Sequence, residues 1–419
     1  MENVLVLDGN ENQAVAAVRS LSAAGYEVHV GADTAWSKAG WSRFARGRFV
    51  YAGPQHGGAA FLASILGEVR RLGGALVLPM TERCTLPLSE HREEVAGAGG
   101  RLVLPAHTSV LKAFDKEQTT NLARSLGIPV PWTATLRDYV EARRLALETR
   151  YPVVLKPRSS EEIGFSGRTR STGAPVYASN PHELMVAYRT LARRCRQILV
   201  QEYVEGSGIG YFALMRHGEL RAEFAHRRIR DVRPTGSGSS LRTSIAVDSR
   251  VRSPAIRLLE ALQWHGVAMV EFRRRPDGTP VLLEVNGRFW NSLALAVHAG
   301  VDFPRLLADM DTHGDVAPPP AYRPGVRCRW LLGDVRHLIE VMKGPPAAYP
   351  GRFPSRLAAL ADFLRPVRGT HHDNFRLDDP LPELGDWLHF ALRKVPALRH
   401  RRRARNRKEL HVERRYSHP

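Results

Sequence analysis

Cysteine is scarce in this chain: Cys84, Cys195 and Cys328 stand far apart in 419 residues, with no C-x-x-C pair among them. That argues against a disulfide framework and against a zinc knuckle, and it suits a reducing compartment. Long apolar runs are also missing, and none approaches the roughly 20 residues a membrane-spanning helix needs. The opening Met1-Glu2-Asn3-Val4 lacks the basic start and apolar stretch of a secretory signal, so a cytoplasmic location is expected. The dinucleotide fingerprint G-x-G-x-x-G does not occur at the first strand-to-helix turn, which removes NAD from the candidate ligands. No internal repeat is found.

What is present describes a globular protein: 43% hydrophobic and 25% charged residues. The length calls for two or three lobes rather than one core. The net charge of +19 is uneven, because residues 393–419 hold eleven Arg or Lys against Glu409 and Glu413, a local +9. Such a block is expected to stay solvated and disordered, with acidic membrane or nucleic acid as the partners its charge suits. Just upstream, Trp387 to Lys394 has the pattern of an amphipathic surface helix, although a helix packed on the main body is the plainer reading.

Apolar periodicity organises the rest. Val4 to Leu7, Tyr26 to Val30, Phe49 to Tyr51 and Ala75 to Leu78 read as strands. Helices over 12–24 (apolar at Val15, Val18 and Leu21) and 59–72 alternate with them, so residues 1–108 should form a Rossmann-like α/β lobe around a parallel sheet. A helix is expected over 109–126, ending at Gly127, then a strand at Tyr151 to Lys156 and a polar loop from Arg158 to Thr172. Strands at Ile198 to Val204, Tyr211 to Met215, Val267 to Arg273 and Pro280 to Val285 follow, with hairpin turns at His217-Gly218 and Asp277-Gly278. Residues 109–315 thus form an α+β unit of two subdomains, 109–204 and 205–315. After it come a helical and irregular extension, 316–392, and the basic tail.

Four elements carry candidate chemistry. Lys156 ends an apolar strand and faces a polar loop, a suitable place to hold phosphate oxygens; taken alone, it is more simply an edge-strand lysine reaching solvent. Lys116 follows Asp115 at the opening of a helix and is by itself ordinary. Ile198 to Gly206 runs from an apolar strand into a polar hinge that can offer N–H and C=O groups to the edge of a flat heterocycle; a strand simply leaving the core is the alternative. The strongest element is Glu271 with Glu284 and Asn286, on two strands joined by Asp277-Gly278. Glu284 and Asn286 share a face by two-residue alternation, and Glu271 can oppose them. Oxygen ligands so placed suit Mg²⁺ or Mn²⁺; a structural salt bridge is the even-odds alternative for Glu284 alone. Arg288 follows on the same face.

This order and spacing resemble the ATP-grasp superfamily, in particular its carboxylate–amine ligases, over roughly residues 1–310. The resemblance implies an α/β and α+β fold, with a Rossmann-like lobe before an ATP-grasp domain of two α+β subdomains, and it implies ATP with Mg²⁺ (or Mn²⁺). By it, Lys116 and Lys156 would contact the α- and β-phosphates. Gln201, Glu202 and Val204 would line the adenine. Glu271, Glu284 and Asn286 would hold the metal, and Arg228 and Arg288 would meet the reacting phosphate. Two departures stand out: the loop after Lys156 has only Gly164 and Gly167, so Ser159, Ser160 or Arg168 must help grip the γ-phosphate. At the usual ribose-binding carboxylate position stands Gly208, so Glu205 serves or nothing does. The expected reaction is phosphorylation of a carboxylate and attack by an amine. Small-molecule carboxylate and amine substrates, and a homodimer, are the implied partners. The substrate is expected near Glu82 and the Asp8-Gly9-Asn10 turn, facing Arg228, Arg230 and Arg288, with 234–240 as a mobile loop over it. A small-molecule kinase and a non-catalytic nucleotide-binding protein are the rival readings.

Overall fold

The structure is a computed structural model that describes residues 2–163, 169–365 and 368–392. Its central N-terminal strands are short, mostly apolar and buried on both faces, as in a sheet covered on two sides, while the edge strands Gly47–Val50 and Gly100–Arg101 are partly exposed. β1 (Asn3–Val6), β2 (Glu27–Ala32), β3 (Gly47–Val50), β4 (Ala75–Leu78) and β5 (Gly100–Arg101) run parallel in the order β3-β2-β1-β4-β5. Helices Asn12–Ala23 and Gly58–Arg71 make two of the crossovers. The first of these differs from the one-sided helix its apolar positions suggest. Every residue from Asn12 to Leu21 is buried, because helices Leu293–Ala299 and Phe303–His313 cover the face turned away from the sheet. Its core therefore merges with that of a later sheet: Val15, Val18 and Leu21 belong to one apolar cluster with Phe212, Phe224, Trp290 and Phe303.

The first half of the following unit is a four-stranded antiparallel sheet with a small hairpin beside it. β6 (Thr133–Leu136), β7 (Val153–Pro157), β8 (Glu161–Ile163), β9 (Thr169–Ser171), β10 (Val176–Ala178) and β11 (Ile198–Glu202) follow in chain order. The sheet order is β10-β7-β11-β6, while β8 and β9 pair only with each other. The loop expected over 158–172 thus contains a hairpin; Gly164, Gly167 and Arg168 lie outside the described residues. The single helix expected over 109–126 is two, His107–Phe114 and Lys116–Ser125, because Asp115 leaves helical geometry and caps the second.

The second half is a seven-stranded sheet. β12 (Ser207–Arg216), β13 (Glu219–Arg233), β14 (Ser237–Ser244), β15 (Gly266–Arg274), β16 (Pro280–Asn286), β17 (Arg327–Arg329) and β18 (Thr370–His372) stand in the order β16-β15-β12-β13-β14-β17-β18. Both expected hairpins form, with left-handed backbone at His217, Gly218 and Gly278. Residues 234–240 are not a free loop: Gly236 N–H bonds to Arg233 C=O in a tight turn, and Ser237 already starts β14, which pairs along β13. Beyond residue 315 the expected helices are joined by β17 and β18, which extend this sheet. The segment after β18 then reaches the N-terminal lobe: Arg19 Nε donates to Asp379 at 2.9 Å and Lys38 Nζ to Asp386 at 3.0 Å, all four side chains buried. Residues 393–419, the basic tail, lie outside the described residues.

Candidate active site

The two lysines are placed by one local tie. β7 leaves the sheet at Pro157, and Arg158 C=O accepts from Lys116 N–H at 3.0 Å. The Arg158 guanidinium also reaches Asp115 Oδ2 at 2.7 Å and Glu117 Oε2 at 2.8 Å. Asp115 meanwhile accepts from Glu117 N–H and Gln118 N–H, an N-cap that orients the helix. Lys116 Nζ then donates to Ser160 Oγ at 2.9 Å and stands 3.8 Å from Glu284 Oε2. Lys156 is buried; desolvation first and the charge of Lys116 second pull its pKa down to about 8, against the opposing pull of Glu284 and Glu271.

The carboxylates come from the opposite side. Glu271 on β15 lies directly across from Glu284 on β16, after which the register shifts so that Phe272 faces Leu282. This irregularity leaves Leu283 unpaired and turns it with Glu284 into the cleft, a common use of a bulge beside a site. Val270, Phe272 and Leu282 point the other way into the core. Asn286 Nδ2 donates to Glu284 Oε1 at 3.2 Å, and Arg288 donates to Asn286 Oδ1 at 2.9 Å. Burial raises the Glu284 pKa, but Lys116, Lys156, Asn286 and Arg288 outweigh it and bring it below the usual range. Glu271 goes up: burial and the neighbouring Glu284 outweigh its ion pair with Arg228. Arg228 lies against Gly208, where a Cβ would sit 2.9 Å from its Nε. The missing side chain at 208 is therefore the space this guanidinium fills.

Lys116, Lys156, Gln201, Glu202, Val204, Arg228, Glu271 and Glu284 all line a single cleft of about 670 Å³. At its hinge end, Glu202 N–H is taken by Trp132 C=O and Tyr203 N–H by Pro152 C=O. Among the described residues the N–H groups of Val204, Glu205 and Gly206 have no backbone partner, and of these three only Val204 lines the cleft. The Gln201 side chain donates to Thr133 Oγ1 at 2.9 Å, and the Glu202 carboxylate pairs with Arg275 at 2.7 Å. Gly206 closes the hinge in left-handed geometry, where a Cβ would collide with Arg274 C=O. Glu205 is exposed and is not among the cleft-lining residues.

A second pocket of about 430 Å³ adjoins this cleft, with Ser160 lining both. Asp8, Gly9, Asn10, Glu82, Arg288 and Asn291 line it; Arg228 does not. Arg230 is turned away altogether, paired with Asp334 at 2.8 Å under helix Leu331–Lys343. Glu82 is the unusual group here. Its Oε1 is buried without a hydrogen-bond partner among the described residues. Desolvation raises its pKa to about 7 against the pull of Lys116 and Arg288. Several wall residues were not legible beforehand. Tyr177, Tyr203 and Tyr349 cluster edge to face, with Arg273 over Tyr203 at 5.8 Å, and Arg83 pairs with Glu161 at 2.9 Å. Arg83 had a signal, since it follows Glu82 at the opening of a helix, and so had Tyr203, which stands in the hinge segment 198–206, whereas Tyr177 and Tyr349 come from segments with none.

The chain is similar to several known proteins. A family model described as ATP-grasp in the biosynthetic pathway with Ter operon matches residues 194–333. The D-alanine–D-alanine ligase of Stutzerimonas stutzeri is 27% identical over 211 residues, 46% of this chain and 63% of that protein. The N-terminal section of the carbamoyl phosphate synthase large chain from Methanopyrus kandleri is 27% identical over 211 residues, 48% of this chain and 36% of that protein. The chain thus spans less than two thirds of the length of either relative. Among solved structures, the biotin carboxylase domain dimer of Hydrogenobacter thermophilus 2-oxoglutarate carboxylase, with MgADP, ADP and bicarbonate, superposes with a TM-score of 0.61. It is 16% identical and covers 78% of this chain and 73% of that one. Residues 194–333 are thus similar to an ATP-grasp domain.

Proposed function

We propose that the chain is an ATP-dependent ligase that joins a carboxylate to an amine. The observation that carries this reading is the convergence of two lysines and two glutamates, from four separate elements, in one cleft with a second polar pocket beside it. Lys116 and Lys156 then meet the α- and β-phosphates, where Lys156 must be protonated to act. The Val204 N–H and the Gln201–Glu202 strand end receive the adenine edge, as a neighbouring strand would. Glu205 is placed outside the cleft wall, so the ribose has no evident carboxylate.

The donor set would suit a hard divalent cation: Glu271 and Glu284 line the cleft, and Asn286, which is not among the lining residues, is hydrogen-bonded to Glu284 and could add its amide oxygen. Among the described residues no group of three His, Cys, Asp or Glu side chains is assembled, so phosphate oxygens are needed to complete any shell. Mg²⁺ or Mn²⁺ held there would neutralise phosphate charge that otherwise repels an incoming carboxylate. Arg228 holds Glu271 in place, and Arg288 stands between Asn286 and the second pocket, where it can bind the substrate carboxylate and the phosphoryl group passing to it.

The reaction is positioning chemistry. The carboxylate oxygen attacks the γ-phosphorus and ADP leaves; the resulting acyl phosphate has a good leaving group, and the amine nitrogen displaces phosphate to form the C–N bond. Glu82, in the second pocket with an unbonded carboxylate oxygen among the described residues, is the carboxylate we assign to receive an amino group. The reading extends to a homodimer, by analogy with the dimeric Hydrogenobacter domain; light scattering decides it. A phosphate-release screen of carboxylate and amine pairs, with Glu284→Ala as the control, tests the activity. Release that requires both partners supports a ligase, and a stable phosphate ester as product would show a kinase instead.

A further inference from the structure

The last described helix, residues 381–392, is built inside out. Its inward face carries two acidic residues, Glu383 and Asp386, with Phe390 packed against Val232, Trp330 and Leu332. Asp386 accepts from Lys38 Nζ at 3.0 Å, Asn374 Nδ2 at 3.0 Å and Trp330 Nε1 at 2.6 Å, and Glu383 is buried beside it. Gly385 packs so closely on the Lys38–Trp41 turn that a Cβ would stand 3.0 Å from Lys38 Cα. The outward face carries Leu381, Leu384, Trp387, Leu388 and Leu392 at three- and four-residue spacing. Leu384 is 58% exposed and Leu392 49%. A helix pinned by buried charges with leucines toward solvent reverses the ordinary pattern, and among the described residues Leu381, Leu384, Trp387 and Leu392 stand exposed.

The sequence continues from this helix directly into residues 393–419, with eleven Arg or Lys against two Glu. A Leu/Trp face next to a strongly basic run is the combination that adheres to an anionic bilayer surface, since the apolar face enters the headgroup boundary while the basic residues pair with lipid phosphates. Nucleic acid would use the charge but leave the leucines exposed. No helix among the described residues is long and apolar enough to cross a membrane, so the contact is with one surface.

We propose that helix 381–392 and the basic run after it dock the protein on an anionic lipid surface. The test is sedimentation of the full chain with phosphatidylcholine vesicles, with and without phosphatidylglycerol, at low and high salt. Binding should require the anionic lipid, weaken with salt, and fall about tenfold or more in L384E/L392E, since two apolar contacts are lost. R401E/R402E/R403E should fall comparably. Both variants alter exposed or tail positions, and circular dichroism of each should match the wild type. Equal binding to neutral vesicles, or binding that L384E/L392E leaves intact, overturns the proposal. So does tight binding to duplex DNA without vesicle binding, or a dimer that L384E/L392E dissociates, which would make the stripe a contact between copies.

Discussion

Arg158 holds Asp115 at 2.7 Å while its own carbonyl accepts from Lys116 N–H at 3.0 Å, so a strand end and a helix start are fixed to each other on both sides of one residue. The consequence is a set distance between Lys156, two residues before, and Lys116. Under the proposed function, both lysines depend on this tie to meet the phosphates.

Arg158→Met should therefore weaken ATP without touching it. The substitution leaves a half-buried Asp115 carboxylate short of its cation, and a broken pair of this kind costs on the order of a few kcal/mol, divided between folding and binding. An apparent ATP affinity about tenfold lower is expected, with unchanged adenine selectivity. Titration of ATP against wild type and variant checks it; equal affinities would mean the lysines are positioned by other contacts.

Lys156 should show opposite effects on stability and binding. Its charge is costly in the empty protein, with a pKa held down to about 8 from 10.5. An unfolded lysine stays protonated to the higher value, so this cost is full below about pH 8 and fades as pH rises toward 10.5, where the folded state gains stability. Lys156→Met removes the cost and should raise the melting temperature at neutral pH. The same change should weaken ATP by about 10- to 100-fold, the worth of a charge-assisted contact. For the wild type, ATP affinity should fall as pH climbs through about 8, and the variant should lose that fall.

Much of this was visible before any coordinates, and the reasons are physical. The parallel N-terminal sheet follows from apolar runs at strand length alternating with helical periods. The Glu271–Glu284 juxtaposition follows from the Asp277-Gly278 turn between two apolar runs, since carboxylates in such strands need a partner. What was hidden depends on distant pairing. Helix Asn12–Ala23 is covered on its second face by helices almost 300 residues later, which its own pattern cannot announce. Arg230 read as a site residue because it lies two positions from Arg228, but β13 shifts register around Arg228 to Asp231 and directs it to Asp334. β17 and β18 are three residues each, too short for periodicity to show.

Glu82 gives the second pH test. With a pKa near 7 it ionises only about neutrality, and the folded state loses stability as pH rises from 4.5 to about 7, where the unfolded carboxylate is already charged. A bound ammonium group favours the anion. Affinity for an amine-bearing substrate should thus rise with pH through about 7, and Glu82→Gln should flatten the profile and remove the stability loss. A wild-type profile without that limb would place the amine elsewhere.

The central claim is that Glu284, with Glu271 and Asn286, holds a divalent cation on the nucleotide that the two lysines grip. Calorimetric titration of ATP into wild type and Glu284→Gln, each with Mg²⁺ and with the metal chelated, tests it most directly. The account predicts that Mg²⁺ strengthens ATP binding to the wild type by about tenfold or more, and that Glu284→Gln abolishes this gain while remaining folded. An equal Mg²⁺ gain in both proteins would contradict it.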